Sequence, residues 1–382
     1  MAADSPIKAE TACGTDPLDL LPGQVVLVFQ GGGALGAYQV GVYEALHEAG
    51  IEPDWVIGTS IGAINGAIVA GNPPERRLER LYEFWSRMEH YSRMFPGISN
   101  MVANLVTITQ GIPAFFSPNP SSWHGLHTSV GIEHASYYIT KPLEATLASL
   151  VDFDFLNSRQ TRLTVGAVNA RNGEMRYFDS RDMDLGSAHV MASSALPPAF
   201  PAVRIDGEPY WDGGIYSNTP IEVVLDDHPR RDSVIFSVQI WNPEGPEPKS
   251  LWQVIGKQKD IQYASRANNI ERQRQIHHLR HVIRELTRHL SDEERESAEC
   301  KQLAAWGCNT VMHVLKLNAP PLDGEDHTKD IDFTSTGIRL RRDAGYKQTK
   351  AVLSCHPWTL ETDPIAGMLI HETSWPCFEC SA

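Results

Sequence analysis

No uninterrupted apolar run in this 382-residue chain approaches the roughly 18 residues needed to span a bilayer. A membrane span is therefore not expected. The amino end, Met1-Ala-Ala-Asp-Ser-Pro-Ile-Lys8, lacks the basic-then-apolar layout of a cleaved signal, so export by that route is not expected either. Cysteine is scarce. The six (Cys13, Cys300, Cys308, Cys355, Cys377 and Cys380) are too few for a disulfide framework in a chain this long, and free thiols in a reducing cytoplasm are expected. Cys377-Phe-Glu-Cys380 is a lone C-x-x-C without a second pair at matching spacing, where zinc needs about four ligands; a frayed tail is expected there. Positive charge is also short: 33 Lys and Arg against 47 Asp and Glu give −14, which argues against nucleic acid as a partner. What is present is ordinary globular material, 42% hydrophobic and 21% charged, enough for a sizeable core.

From Gln24 onward short apolar runs alternate with helix-period segments. Val25–Phe29 reads as a buried strand, and Ala37–Ala49 as a helix with Val40, Tyr43 and Leu46 on one face, stopped by Gly50. Residues 55–57 read as a second strand and 61–71 as a small-residue helix. Further strands are expected at 162–168, 175–178, 233–240 and 311–317. Strands alternating with helices indicate a mostly parallel sheet covered on both faces. Residues 95–122, rich in Pro, Gly, Phe and Met, suit a binding loop or a partly helical insertion. The turn-rich stretch Asn242-Pro-Glu-Gly-Pro-Glu-Pro248 marks a boundary. Beyond it, Ile276, Leu279, Val282, Ile283, Leu286 and Leu290 form a stripe at helical spacing.

Three motifs carry chemistry. Gly31-Gly-Gly-Ala-Leu-Gly36, between a strand and a helix, matches the dinucleotide pattern G-x-G-x-x-G. That reading needs an acid at the end of the next strand, where Val56-Ile57-Gly58 stands instead. A phosphate loop needs Lys-Ser/Thr after Gly36 and finds Ala37-Tyr38. The second strand ends in Gly58-Thr59-Ser60-Ile61-Gly62, a serine between glycines at a strand-to-helix turn, as in a nucleophile elbow. In a parallel sheet both glycine turns fall on one edge, where loop amides could face an oxyanion formed at Ser60. A serine needs a base, and Tyr210-Trp-Asp212-Gly213-Gly214 supplies a carboxylate at a tight turn; taken alone, Asp-Gly more often means a hairpin turn.

In this order, with Ala192-Ser-Ser-Ala-Leu-Pro-Pro-Ala-Phe-Pro201 ahead of the aspartate, these residues resemble the patatin-like phospholipase family over roughly residues 24–240. The resemblance implies a three-layer α/β/α fold and a Ser–Asp dyad without histidine. It makes Ser60 the nucleophile, Asp212 the base, and Gly31, Gly32, Gly33 and Gly36 the oxyanion loop. Gly58 and Gly62 flank the elbow, and Gly213 and Gly214 complete the aspartate triplet. Leu35 departs from the pattern, because many family members carry Arg or Lys there; a preference for strongly anionic head groups is not implied. The expected division is an extension (1–22), a patatin-like catalytic domain (23–242), a mainly helical region like that of a bacterial branch (243–350) and a tail (351–382).

The expected activity is hydrolysis of lipid acyl esters through an acyl-serine, in the cytoplasm or peripherally at a membrane. The alternatives are a Ser-His-Asp esterase or acyltransferase, for which His228 follows Asp212 in chain order, and a non-catalytic lipid-binding protein. Residues 257–289 hold eight Lys and Arg against three acids and read as a basic amphipathic helix that could lie on anionic lipid. Asp292-Glu-Glu-Arg-Glu296 follows and can neutralise it. His277 and His281 have metal-pair spacing, but without an identifiable carboxylate partner a surface position is expected. The dyad needs no metal, and no cofactor is predicted. Oligomeric state is not legible.

Overall fold

The computed structural model describes residues 21–89, 100–124, 127–264, 269–322, 325–360 and 365–372. The strands are Gln24–Phe29 (β1), Trp55–Gly58 (β2), Ser117–Pro118 (β3), Tyr138–Ile139 (β4), Arg162–Asn169 (β5), Met175–Asp179 (β6), Val203–Ile205 (β7), Glu208–Asp212 (β8), Ser233–Gln239 (β9), Met312–Asn318 (β10) and Met368–Glu372 (β11). Apart from the β3–β4 ribbon they form one sheet, ordered β11-β10-β9-β1-β2-β5-β8-β7, with β6 also on β5. Pairing is parallel from β11 through β5, and β6, β7 and β8 run antiparallel.

The central strands β1, β2, β5 and β9 are buried at nearly every position because both faces are covered. Successive side chains alternate: Leu27, Phe29 and Val56 join Tyr38, Tyr43, Ile64 and Phe84 in one core, while Val26, Val28, Trp55 and Ile57 join Ile221, Val224 and Ile270 in another. The fold is thus the expected three-layer α/β/α arrangement. The first helix spans Ala37–Glu48, and Gly50, at φ +73°, turns the chain out of it. The 95–122 segment yields a helix at Asn100–Gln110; residues 90–99 lie outside the described part.

The chain beyond Asn242 is mainly helical, as expected, yet it also supplies β10 and β11. Part of the segment expected as a tail is therefore built into the sheet. The helix Ser335–Ser354 crosses the first helix at a pair of glycines. A Cβ on Gly41 would stand 1.9 Å from the Arg342 carbonyl oxygen, and one on Gly345 2.2 Å from that of Tyr38. No bulkier residue permits that approach.

The basic segment corrects the sequence reading. It is two helices, Leu251–Ala264 and Asn269–Arg288, with residues 265–268 outside the described part. The inward face of the second carries Ile270, His277 and His281, whereas Leu279 and Leu286 are exposed. The two histidines are thus buried, not on the surface. Several basic residues are paired within the fold, Arg274 with Glu271, Arg280 with Asp226 and Arg288 with Glu285. No helix among the described residues is long and apolar enough to cross a membrane. None of the cysteines at 300, 308 and 355 forms a disulfide among the described residues. The expected extension, except Leu21 and Pro22, and the Cys377/Cys380 pair lie outside the described residues.

Candidate active site

Strand register brings the serine and aspartate motifs together. On one flank of β5, Ala167 pairs with Arg176 of β6, so its pairing with Asp212 uses the other flank. That is the flank along which β2 runs, ending with Gly58 opposite Val165. Asp212 therefore sits just past the end of β2, where the chain turns through Ser60 into the helix Ile61–Ala70.

Ser60 has φ +55° and ψ −125°, a conformation that costs on the order of 1–3 kcal/mol and survives only when the surroundings enforce it. A Cβ on Gly62 would meet the Phe29 carbonyl oxygen at 2.3 Å, so only glycine lets the elbow lie against β1. The Ser60 N–H donates to the Ser193 carbonyl oxygen at 3.1 Å and to Ser193 Oγ at the same distance. Ser194 Oγ donates to the Ser60 carbonyl oxygen at 3.1 Å. The Ala-Ser-Ser-Ala stretch is thus the brace behind the elbow.

Asp212 is 2% exposed. Its N–H donates to the Ala195 carbonyl oxygen at 3.0 Å, and its Oδ1 accepts from the Gly214 N–H at 2.7 Å. No hairpin forms at Asp-Gly; Gly213–Ile215 is a single helical turn. Burial pushes the carboxyl up to about 7, against the opposing pull of hydrogen bonds from the Ser60 side chain and the Gly214 N–H. An ordinary aspartate would be a far weaker base.

The glycine loop is pinned by residues far away in sequence. Gly31 donates to the Asn218 carbonyl oxygen at 3.3 Å. Its own carbonyl oxygen accepts from Asn218 Nδ2 at 3.0 Å and Trp241 Nε1 at 2.8 Å. Ala34 donates to the Asp330 carbonyl oxygen at 2.8 Å, and the Asp330 carboxylate takes both of its bonds from Lys259 Nζ. The Gly32 and Gly33 N–H groups have no partner among the described residues, and both glycines line the same cavity as Ser60 and Asp212.

That cavity holds about 180 Å³, close to the roughly 150 Å³ that accepts a benzene ring. Its apolar wall is a cluster of Phe115, Phe116, Tyr138, Phe200 and Phe333, with ring centroids 4.7 to 6.4 Å apart. Such contacts favour hydrocarbon over polar ligands. No Lys, Arg or His is among the described lining residues. Leu35 is buried in the core, and His228 is exposed just ahead of β9, away from the cavity. Gly36 lies in the turn after the loop. Sequence reasoning missed Asn218, Trp241, Tyr263, Asp330 and Phe333; Phe115 and Phe116 fall in the 95–122 stretch, expected only as a binding loop or a partly helical insertion.

Family models and known proteins match this chain in sequence. Residues 27–225 match the family model for patatin-like phospholipase, and residues 261–365 match a second model, for patatin phospholipase. A 99-residue stretch is 37% identical to patatin-like phospholipase domain-containing protein ZK370.4 of Caenorhabditis elegans, covering 26% of this chain and 7% of that one. A 46-residue stretch is 63% identical to lysophospholipase nte1 of Aspergillus terreus, covering 12% and 3%. A 63-residue stretch is 41% identical to human patatin-like phospholipase domain-containing protein 6, covering 16% and 5%. The matched stretches thus span only 3–7% of the length of these relatives. Among solved structures, VipD from Legionella pneumophila aligns with a TM-score of 0.40 at 15% identity, over 92% of this chain and 72% of that one.

Proposed function

This chain belongs to the patatin-like phospholipase family, and from that membership and the geometry at Ser60 we propose that it hydrolyses lipid acyl esters with a Ser60–Asp212 dyad. The observation that carries the reading is a buried carboxyl, raised to about 7 and hydrogen-bonded to the serine, beside two amides without partners among the described residues.

In the first half-reaction Ser60 Oγ attacks the ester carbonyl carbon and its proton passes to Asp212. The carbonyl oxygen becomes an oxyanion facing the Gly32 and Gly33 N–H groups. The positive end of the helix Ile61–Ala70 lies at the same point and favours negative charge there. Collapse breaks the ester C–O bond, and Asp212 returns the proton to the departing alcohol. In the second half-reaction water gives a proton to Asp212 and adds to the acyl-serine. The fatty acid leaves as Asp212 reprotonates Ser60. Each oxyanion donor of this kind is worth about 2.7–4 kcal/mol in the transition state.

The cavity takes the reacting end of an acyl chain against the aromatic wall. Its charged lining residues are both acidic, Asp212 and Asp330, which favours uncharged or zwitterionic esters over strongly anionic ones. The absence of a lining histidine among the described residues supports a dyad over a triad. The test is a fluorophosphonate probe followed by peptide mapping. Labelling of Ser60, lost in Ser60→Ala, is expected; folded protein that resists the probe would point to lipid binding without turnover.

A further inference from the structure

The opposite edge of the sheet carries a second cluster that hydrolysis does not use. Thr310 precedes β10 and Gly367 precedes β11, so both lie at strand starts, whereas Ser60 follows a strand end. Against these starts the helix Asn269–Arg288 turns His277 and His281 inward, 1% and 7% exposed, beside Cys308 at 7%. One donor atom from each of the three lies within 4.8 Å of the other two. Both imidazole Nε2 atoms converge on the Thr310 carbonyl oxygen, at 3.0 and 2.9 Å. Cys308 Sγ lies 2.8 Å from Thr310 Oγ1, and the Cys308 N–H holds the loop to the helix through the Arg280 carbonyl oxygen at 3.2 Å. Gly367 makes room for the ring, since a Cβ there would stand 2.3 Å from His281 Cδ2.

We propose that His277, His281 and Cys308 form a structural binding site for a zinc ion, with an oxygen from Thr310 or a water as fourth ligand. Two imidazoles and a thiolate without a carboxylate are a borderline-soft donor set, suited to Zn²⁺ and unsuited to Mg²⁺ or Ca²⁺. Zinc bonds of about 2.0–2.1 Å to nitrogen and 2.3 Å to sulfur place tetrahedral donors roughly 3.3–3.6 Å apart. Donors up to 4.8 Å apart therefore close by up to about 1.2–1.5 Å on binding. The one-turn spacing of the histidines holds two donors on one helix face, and the third arrives 27 residues later on the loop entering β10. The Cys308 thiol releases its proton to solvent as the metal binds, so affinity falls in acid. The ion would clamp this helix onto the two outermost strands, far from Ser60.

The experiment uses the full chain with Cys377→Ser and Cys380→Ser, so that the carboxyl-terminal thiol pair cannot bind metal, after treatment with a chelator. Titration with Zn²⁺, and with Co²⁺ as a spectroscopic substitute, is expected to show one ion per chain. A thiolate-to-cobalt charge-transfer band should appear, and Tm should rise by several degrees with Zn²⁺. Cys308→Ser should abolish the band, and His277→Gln should weaken binding at least tenfold, both with ester hydrolysis unchanged. Absence of stoichiometric binding, or a band that persists in Cys308→Ser, overturns the site. Should either variant fail to fold, alkylation of Cys308 in the otherwise unsubstituted protein decides: Zn²⁺ slows it if the site exists, and an unchanged rate refutes it.

Discussion

Asp212 and Asp227 lie at opposite edges of the same sheet, and burial works to raise the pKa of both. At Asp227 the guanidinium groups of Arg162 and Arg181 outweigh burial and hold the carboxyl below its ordinary value. Arg162 binds Asp179 at 2.7 Å and Asp227 at 2.9 Å and stacks over the Trp55 ring at 3.5 Å. Asp212 has no cation beside it among the described residues, only the Gly214 amide and Ser60, and burial raises its pKa. A buried carboxylate is a strut where its charge is paired and a base where it is not. The family motif marks the second kind; the first is scattered over residues 55, 162, 179, 181 and 227.

This contrast can be broken in four ways, taken from the largest expected effect. Ser60→Ala or Asp212→Asn should lower kcat on a fatty-acyl p-nitrophenyl ester by roughly 10⁴-fold or more; a variant retaining a tenth of the activity would remove that residue from the mechanism. Arg162→Ala strips Asp179 of its guanidinium and leaves Asp227 with Arg181 alone at the other edge. It should cost about 3–5 kcal/mol in urea unfolding without changing kcat of the folded enzyme. Equal loss of activity would show that the edges are not separable.

Third, Asp212 should make stability and activity move oppositely with pH. The native carboxyl, at about 7 against an ordinary 3.8, keeps its proton where the unfolded chain has lost it. Between those values the native state binds more protons, so its stability falls as pH rises. Asp212→Asn should therefore match the parent below about pH 4. Above pH 7 it should exceed the parent by up to about 4 kcal/mol, taking about 1.36 kcal/mol per pKa unit. The parent's kcat/KM should rise about tenfold per unit and level off near pH 7; a flat profile from pH 5 to 8 would contradict an unpaired base. Smallest is Lys259→Met. Its partly exposed pair with Asp330 is worth about 1 kcal/mol or less, so kcat should drop less than about fivefold, with Tm nearly constant.

The glycine loop, elbow and Asp-Gly-Gly turn were legible because their constraints are local: each needs small residues next to a particular side chain, and these are written contiguously. What pins them was not. Asn218 and Trp241 reach Gly31 from 187 and 210 residues away, and such hydrogen bonds leave no periodic trace. The stripe on the helix Asn269–Arg288 was legible as helical but not as to which side faces in. The sheet edge there presents a carbonyl oxygen from Thr310, and imidazoles satisfy it where leucines could not. Gly41 and Gly345 look like weak points in two helices until the helices are seen to touch.

The Ala34–Asp330 bond bears on any attempt to transplant this chemistry. The stretch that matches the patatin-like model ends at residue 225, and an engineer would be tempted to excise it as a portable cassette. Such a fragment would keep every signature residue and Asn218 yet lack Trp241, Tyr263, Asp330 and Phe333, so the turn meant to receive the oxyanion would lose most of what it leans on.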